Sequence, residues 1–488
     1  MPSGAVQALA DRLGPLLDPG AVLSDRQQLR TYECDGLAHF RVTPALVVFP
    51  RTTAQCQAVV RVCVAEGVPY VARGSGTGLS GGALPHADGV LIVTAQMRTI
   101  HEIDIPNQRA VVDPGVVNLD VTREAMPHGY YYAPDPSSQQ ICSIGGNVAE
   151  NSGGAHCLKY GFTVNHVTGC EVVTPDGEIV EMGGKAVDSP GYDLLGAFVG
   201  AEGTLGITTK VTLRLLRAPE VVQTLLAGFA GTDDAGAAVT AIISAGVVPA
   251  AVEMMDALAI EAAEAAVQCD YPEGAGAVLV VELDGPAAEV EHTFAAVRRH
   301  CRDNGAFEIR VAVDAAERAL FWKGRKSAFA AVGRISPDYI VQDGVIPRTA
   351  LSEVLRRISA LSSDSGVRVA NVFHAGDGNL HPLVLFDETI EGQAERAEEI
   401  SGAILDLCIE HGGSITGEHG VGADKMIYMP RMFTDDDLVT MQLLRCAFDP
   451  PGLCNPGKIF PTPRLCGEVP GRHKGTHPLA EAGVADVF

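Results

Sequence analysis

The sequence predicts an α+β chain of at least two domains, and three observations carry that prediction. Strand and helix patterns alternate from Ala45 onward. The composition shifts at Arg217-Ala218-Pro219-Glu220, a natural joint. Beyond the joint the spacing of elements is close to β-α-β-β-α-β, the order of a ferredoxin-like unit. With 488 residues the chain can build two or three cores. The expected division is an N-terminal helical segment over 1–40, a first domain over 41–219, a second over 220–460 and an extension over 461–488.

In chain order, residues 1–40 carry a helix pattern and then Tyr32-Glu33-Cys34-Asp35-Gly36, whose chemistry the residues alone do not declare. Residues 46–49 read as a strand. Residues 54–66 place Val59, Val60, Val62 and Cys63 at helical spacing and stop at Gly67. Strands follow at 68–72, 90–94, 100–105 and 110–112, then a helix near 119–128. Residues 132–154 read as loop, and a strand at 207–216 leads to the joint. The second domain is expected to run strand 221–229, helix 235–245, strand 278–283, helix 287–304, strand 309–313. A helix at 315–330, a strand at 339–345, a helix at 351–361, strands at 367–373 and 383–386 and a helix at 395–411 come next. No internal sequence repeat is visible.

Composition narrows the function classes. Hydrophobic residues make up 47% and charged residues 20%, a globular balance. A net charge of −24 without a basic cluster argues against nucleic acid or an anionic membrane surface as a direct partner. None of the 12 cysteines forms C-x-x-C, so neither an iron–sulfur cluster nor a zinc ribbon is written in the chain. The first residues lack the long apolar core of a secretory signal, so reduced thiols in the cytoplasm are expected. Residues 235–252 carry no charge, but they are rich in Ala and Gly with Pro249 near the end. That is too weakly apolar for a membrane span and reads as a buried helix.

The stretch Arg73 to Gly82, RGSGTGLSGG, holds five glycines among ten residues. Backbone free of Cβ can lie against a ligand, and successive N–H groups form an anion-binding concavity. Arg73 adds a cationic fork suited to phosphate. The letters from Gly76 to Gly81 fit G-x-G-x-x-G, but a strand pattern follows, not a helix, so the βαβ dinucleotide fold is rejected. A P-loop fails because no Lys-Ser/Thr follows. Two further small-residue segments, 132–154 and Gly200 to Ile207, suit a long ligand such as a whole dinucleotide. Ordinary turns that hold nothing are the alternative reading.

A second constellation lies in His374-Ala375-Gly376-Asp377-Gly378-Asn379-Leu380-His381, between two strand patterns. Two histidines seven apart across a glycine-containing turn can converge. Glu418-His419 sits between Gly417 and Gly420. Two His, one Glu and a further His are the inventory of an open divalent metal site with a spare base, with His374, His381 and Glu418 as ligands. Surface loop histidines are the alternative. Arg325, in FWKGRK, can grip a carboxylate bidentately.

Taken together these segments resemble a known family. RGSGTGLSGG, PDPSSQQICSIGGNVAENSGG and GAEGTLGI are similar to the FAD-binding domain of vanillyl-alcohol oxidase and p-cresol methylhydroxylase. FWKGRKSAF, VFHAGDGNLHPL, ITGEHG and NPGK are similar to the C-terminal domain of FAD-linked 2-hydroxy-acid dehydrogenases. Over about residues 20–460, including YECDGLAHFR, CLKYG and VGRISPDYIVQDGVIPR, the chain resembles the FAD-linked subunits of bacterial glycolate oxidases. The resemblance implies a two-part FAD-binding domain and a ferredoxin-like α+β cap domain for substrate. Arg73, Gly74, Ser75, Gly76, Thr77, Gly78, Leu79 and Ser80 would hold the FAD pyrophosphate. Pro134, Asp135, Ser138, Gly145, Asn147, Asn151, Gly154, Glu202, Gly206 and Ile207 would line the path to the flavin ring, which Asn455 would approach. His374, His381 and Glu418 would bind Zn, Mn or Fe, His419 would be the base, and Arg325 would hold the substrate carboxylate. The implied reaction is oxidation of glycolate or D-lactate, with D-2-hydroxyglutarate as the alternative. The implied partners are a second flavin-type subunit and an iron–sulfur subunit feeding a quinone. Any membrane association, on the cytoplasmic face, would come only through those partners.

Two departures carry information. Some relatives tether flavin through a His in the glycine-rich loop; this one has Ser75 and Thr77, so FAD is expected to be dissociable. D-2-hydroxyglutarate dehydrogenases carry a Thr one helical turn past the carboxylate Arg. Phe329 stands there, which implies a smaller substrate.

Overall fold

The computed structural model describes residues 1–38, 40–186 and 190–461 and the backbone strand Asp486–Val487. The rest of the expected 461–488 extension lies outside the described residues. Helices and strands interleave along the chain, the α+β content expected. Two compact units form: one from Met1–Gly153, Phe162–Ala218 and the residues from Glu418 onward, the other from Gly154–Gly161 and Pro219–Gly417.

The first unit holds two principal sheets. In one, the strands Leu46–Val48 and Tyr70–Arg73 flank Val90–Val93, both parallel to it, and Val22–Leu23 adds an antiparallel edge. Parallel strands are covered on both faces, which is why Val90–Val93 is an unbroken buried apolar run. Helix Thr53–Glu66 makes the crossover. The Thr52 hydroxyl caps it by accepting from the Gln55 N–H at 3.2 Å. Its Cys56, Val59, Val60 and Cys63 pack on Leu46, Val48, Val173 and Ile207.

The other sheet is antiparallel, in the order Ile179–Gly183, Val167–Val173, Ile207–Arg214, Arg109–Val112, Ile100–Asp104. Its hairpin Val167–Val173/Ile179–Gly183 was not anticipated from sequence, although Pro175-Asp176-Gly177 is a turn signal. Residues 132–154, expected to be loop throughout, contain the helix Ile144–Glu150. Gly145 and Gly146 in its first turn hide the helical pattern by weakening propensity.

In the second unit an eight-stranded sheet dominates. Its first four strands run in the order Glu308–Val311, Val221–Phe229, Ala277–Gly285, Ala251–Asp256, all antiparallel, with helices Thr232–Ser244 and Ala287–Asp303 as crossovers. This is the ferredoxin-like arrangement expected. The uncharged run 235–252 is a correction, because only its first part is helical. Gly246, at φ +78, and Pro249 break the helix, and the remainder enters the strand Ala251–Asp256. Helix Ala257–Val267 follows, also unanticipated.

The strands Val369–His374, Asn379–Phe386 and Asp338–Val341 extend the sheet beyond Ala251–Asp256. Helices Leu351–Ser365 and Gln393–Glu410 belong to this half. Ala251–Asp256 and Val369–His374 are therefore the two strands along which the halves join.

Among the described residues ten cysteines are free thiols.

Candidate active site

In the first unit the strand Tyr70–Arg73 delivers the glycine-rich loop, and residues 74–89 contain no helix. The rejection of a βαβ dinucleotide fold therefore stands. Gly76 takes φ +70, and a Cβ there would collide with the Arg73 guanidinium. Arg73 has turned back beneath the loop. It donates to the Cys34 carbonyl, lies over the Tyr32 ring and feels the Asp35 charge. The segment Tyr32 to Gly36, mute in the sequence, is thus the anchor of Arg73, and Arg73 braces the loop from below. The N–H groups of Gly76, Thr77, Gly78 and Leu79 donate to no described residue.

Hydrogen bonds tie the other small-residue segments to this loop. The Ser75 N–H donates to Ser143 Oγ at 3.2 Å, at the start of helix Ile144–Glu150. Asn118 Nδ2 donates to Asn147 Oδ1 at 3.0 Å and to the Pro134 carbonyl at 3.1 Å. Asn118 itself was not singled out from sequence. Asp135 and Ser138 lie in the same turn, where the Ile141 and Cys142 N–H groups close onto the Ser138 carbonyl. Gly145 approaches Pro114 so closely that a Cβ would sit 2.6 Å from the Pro114 Cβ. Asn151, at φ +52, ends the helix.

Asn455 joins two of the glycine clusters. Its Nδ2 donates to the Gly82 carbonyl at 3.0 Å and the Glu202 carbonyl at 2.6 Å. Its side chain is therefore engaged by backbone. The Glu202 carboxyl accepts from the Val421 and Gly422 N–H groups at 2.7 and 2.6 Å. Gly206, at φ +140, precedes Ile207, whose side chain is part of the core. Burial pushes Glu202 up to about 7 and Asp35 up to about 6. Glu150 is raised by burial and by Glu202 beside it. Gly154 is counted with the second unit and the other expected flavin contacts with the first.

In the second unit, Val369–His374 and Asn379–Phe386 form a hairpin with His374 opposite Asn379 and Val372 opposite His381. That register places the two histidines diagonally on one face. Their ring centres are 5.1 Å apart, edge to face. On the other side of His374 lies Glu253, its direct partner in the strand Ala251–Asp256. His374 Nδ1 is 2.8 and 3.0 Å from the two Glu253 oxygens.

Arg325, on the helix Ala315–Ala331, brings Nη2 to 2.6 Å from Glu253 Oε2. Its Nε and Nη2 are both buried without a hydrogen-bond acceptor among the described residues, so the contact is an ion pair. Burial would raise the Glu253 carboxyl, but Arg325 and His374 hold it below the ordinary range. Phe329, one turn on, lies under the Arg325 guanidinium at 5.8 Å and meets His381 edge-on at 5.7 Å.

Asp343 supports the same face. His381 Nδ1 is 3.3 Å from the Gln342 carbonyl and 3.9 Å from Asp343 Oδ1. Asp343 Oδ2 accepts from Thr416 Oγ1 at 2.6 Å and from the Gly417 N–H at 3.0 Å. Glu418 and His419 follow Gly417 directly in the chain and belong to the first unit. His374, His381 and Arg325 are thus gathered in one unit, with Glu253 and Asp343, which the sequence reading had not marked. The available signal was a single acid inside an apolar run, Val247 to Met255.

A second buried carboxylate orders the same unit. Glu282 accepts from Thr224 Oγ1 at 2.7 Å, Arg318 Nε at 2.9 Å and Trp322 Nε1 at 2.8 Å, with His156 Nε2 at 3.2 Å. Lys159 and Tyr160 meet Asp284, so Gly154–Gly161 is bound along the strand Ala277–Gly285.

Comparison with known proteins gives the following. Residues 44–183 match a family described as an FAD binding domain, and residues 218–459 match FAD linked oxidases, C-terminal domain. The chain is 52% identical over 452 residues to the glycolate oxidase subunit GlcD of Escherichia coli strain K12, covering 93% of this chain and 91% of that protein. It is 32% identical over 428 residues to a D-lactate dehydrogenase of Anaerostipes hadrus, covering 86% and 90%. The solved structure of substrate-bound p-cresol methylhydroxylase superposes with a TM-score of 0.80 over 96% of this chain and 98% of that one, at 17% identity. That likeness bears on the fold.

Proposed function

The chain belongs to the family of FAD-linked oxidases, and we propose that it oxidises a small 2-hydroxy acid, foremost glycolate to glyoxylate, as the flavin subunit of a larger assembly. The observation that carries this reading is the buried cluster Arg325, Glu253, His374 and His381. It offers a cation for a carboxylate beside two imidazoles whose Nδ1 atoms face acceptors. The Arg325 Nε lacks an acceptor at 3% exposure, which suits an incoming carboxylate.

FAD fits the first unit. The N–H groups of Gly76 to Leu79 stand ready for a pyrophosphate, and Glu202 and Asn455 hold the flanking turns in register. With Ser75 and Thr77 in place of a histidine, the cofactor is dissociable. His374 and His381, with Nδ1 directed at Glu253 and Gln342, present Nε2 as the ligand nitrogen and would hold a divalent Zn, Mn or Fe, for which Glu418 is the further ligand the sequence offers. A bound cation would supply Lewis acidity toward the substrate hydroxyl, and bound FAD would supply the two-electron acceptor for the Cα hydride.

The chain's own residues do the rest. Arg325 binds the substrate carboxylate and fixes which face Cα presents. His419, neutral, takes the hydroxyl proton. Phe329 closes the space beside Arg325 and favours a two- or three-carbon acid.

Electrons then leave through partner subunits, a second flavin-type chain and an iron–sulfur chain, toward a quinone. Support for an assembly is that GlcD is named as a subunit. Among the described residues no helix is long and apolar enough to cross a membrane, so membrane association, from the cytoplasm, comes through those partners. The second reading, D-lactate oxidation with another acceptor, is favoured by the 32% identity to a D-lactate dehydrogenase.

The test is His419→Ala. Rapid mixing with glycolate is expected to show flavin reduction slowed by about 10²–10⁴ with FAD content unchanged. Reduction at the wild-type rate would remove His419 as the base.

A further inference from the structure

We propose that Glu253 is the positioning residue of the substrate-binding cluster, one carboxylate that sets the tautomer of His374 and holds Arg325 in place. The consequences for substrate and metal rest on the 2-hydroxy-acid reading above; the tautomer does not.

Glu253 stands on Ala251–Asp256, one of the two strands along which the halves of the large sheet join. Its neighbours Ala251, Val252, Met254 and Met255 are buried and apolar, and Glu253 is 1% exposed. A carboxylate there is costly unless its oxygens meet donors. A hydrogen-bonding partner and a cation come from two sides. The sheet register sets His374 directly opposite, and both oxygens lie within 3.0 Å of its Nδ1. The helix Ala315–Ala331 lowers Arg325 onto Oε2 from the other side.

An ionised carboxylate only accepts, so His374 must carry its proton on Nδ1. The lone pair then lies on Nε2, the nitrogen that binds a metal. The same oxygen holds the Arg325 guanidinium in an ion pair, and both Nε and Nη2 keep no hydrogen-bond acceptor among the described residues. Loss of Glu253 therefore disturbs imidazole and guanidinium together. A carboxylate present only to fill the core would affect stability and neither of these.

Two measurements test this on the full-length, FAD-loaded protein. In the wild type, ¹⁵N-labelled histidine spectra, with His374 assigned by its loss in His374→Gln, are expected to show the proton on Nδ1. A proton on Nε2, or on both nitrogens, at neutral pH overturns the proposal, and no variant has to fold for this reading. In Glu253→Gln, Co²⁺ affinity by calorimetry is expected to fall about 10–100-fold. The KM for glycolate is expected to rise about tenfold, with partial recovery of both in Glu253→Asp. Unchanged Co²⁺ affinity and KM in a folded Glu253→Gln overturn it as well. A wild type that takes up no Co²⁺ counts against the metal assignment instead, and the tautomer still decides the role of Glu253.

Discussion

In the first unit, burial pushes Asp35 up to about 6 and Glu202 up to about 7, whereas in the second unit Glu282, also buried, is held at about 2. The difference is in the partners. Glu202 meets two backbone N–H groups, and Lys425 and Lys458 act on it only at a distance. Glu282 is also opposed by burial, yet His156 and Arg318 reach it directly. Asp256 confirms that the partner decides and not the unit. It lies in the second unit, its partners are the Ala259 N–H and Asn371, and it sits at about 6. The lesson is that neutral donors satisfy a buried carboxyl without keeping it ionised, while cations keep it ionised.

The largest effect that would break this contrast is at Glu282. Glu282→Gln is expected to destabilise the protein by about 3 kcal/mol, the low end for a severed buried pair, because Arg318 keeps some exposure. Denaturant unfolding measures the loss, and hydrogen exchange should rise first in Ala277–Gly285 and Gly154–Gly161. A loss below about 1 kcal/mol would mean that the network adds little.

The next effect is in pH dependence, and carboxyls held by cations and carboxyls held by neutral donors have opposite signs. A lowered carboxyl stabilises above its unfolded pKa, so the Glu282 contribution is lost as pH falls from 4.5 toward about 2. A raised carboxyl stabilises below its unfolded pKa, so the contributions of Asp35 and Glu202 are lost as pH rises through about 6 and about 7. Glu150→Gln is therefore expected to match the wild type in acid and to exceed it in stability as pH rises, by up to about 1.4 kcal/mol per pH unit. Thermal unfolding across pH checks this. A variant less stable at alkaline pH would show that Glu150 is ionised in the fold.

The smallest effect concerns specificity. Phe329→Thr opens the space between Arg325 and His381 and is expected to shift kcat/KM toward a longer 2-hydroxy acid by about tenfold. An unchanged ratio of rates for short and long acids would separate Phe329 from substrate length.

Features with a local cause were legible in the sequence. The glycine-rich loop, the helix Thr53–Glu66 and the paired His374 and His381 are written in spacing and in glycines. Features with a tertiary cause were not. Tyr32 to Gly36 acquires meaning only when Arg73 folds back onto it. Asn118 joins Pro134 to Asn147, segments that the sequence pattern treats as separate. Glu253 lies 121 positions from His374, and only the pairing of two strands makes them neighbours. The strand that carries Glu253 was itself hidden in an uncharged run whose helical first half masked its extended end.

The central claim, a flavin reduced by a short 2-hydroxy acid, is tested most directly by anaerobic addition of glycolate to the purified yellow protein. Stoichiometric bleaching of the flavin absorbance by glycolate, faster than by D-lactate or D-2-hydroxyglutarate, is the expected result. A colourless protein, or a flavin that stays oxidised with every 2-hydroxy acid in the presence of divalent metal, would contradict it.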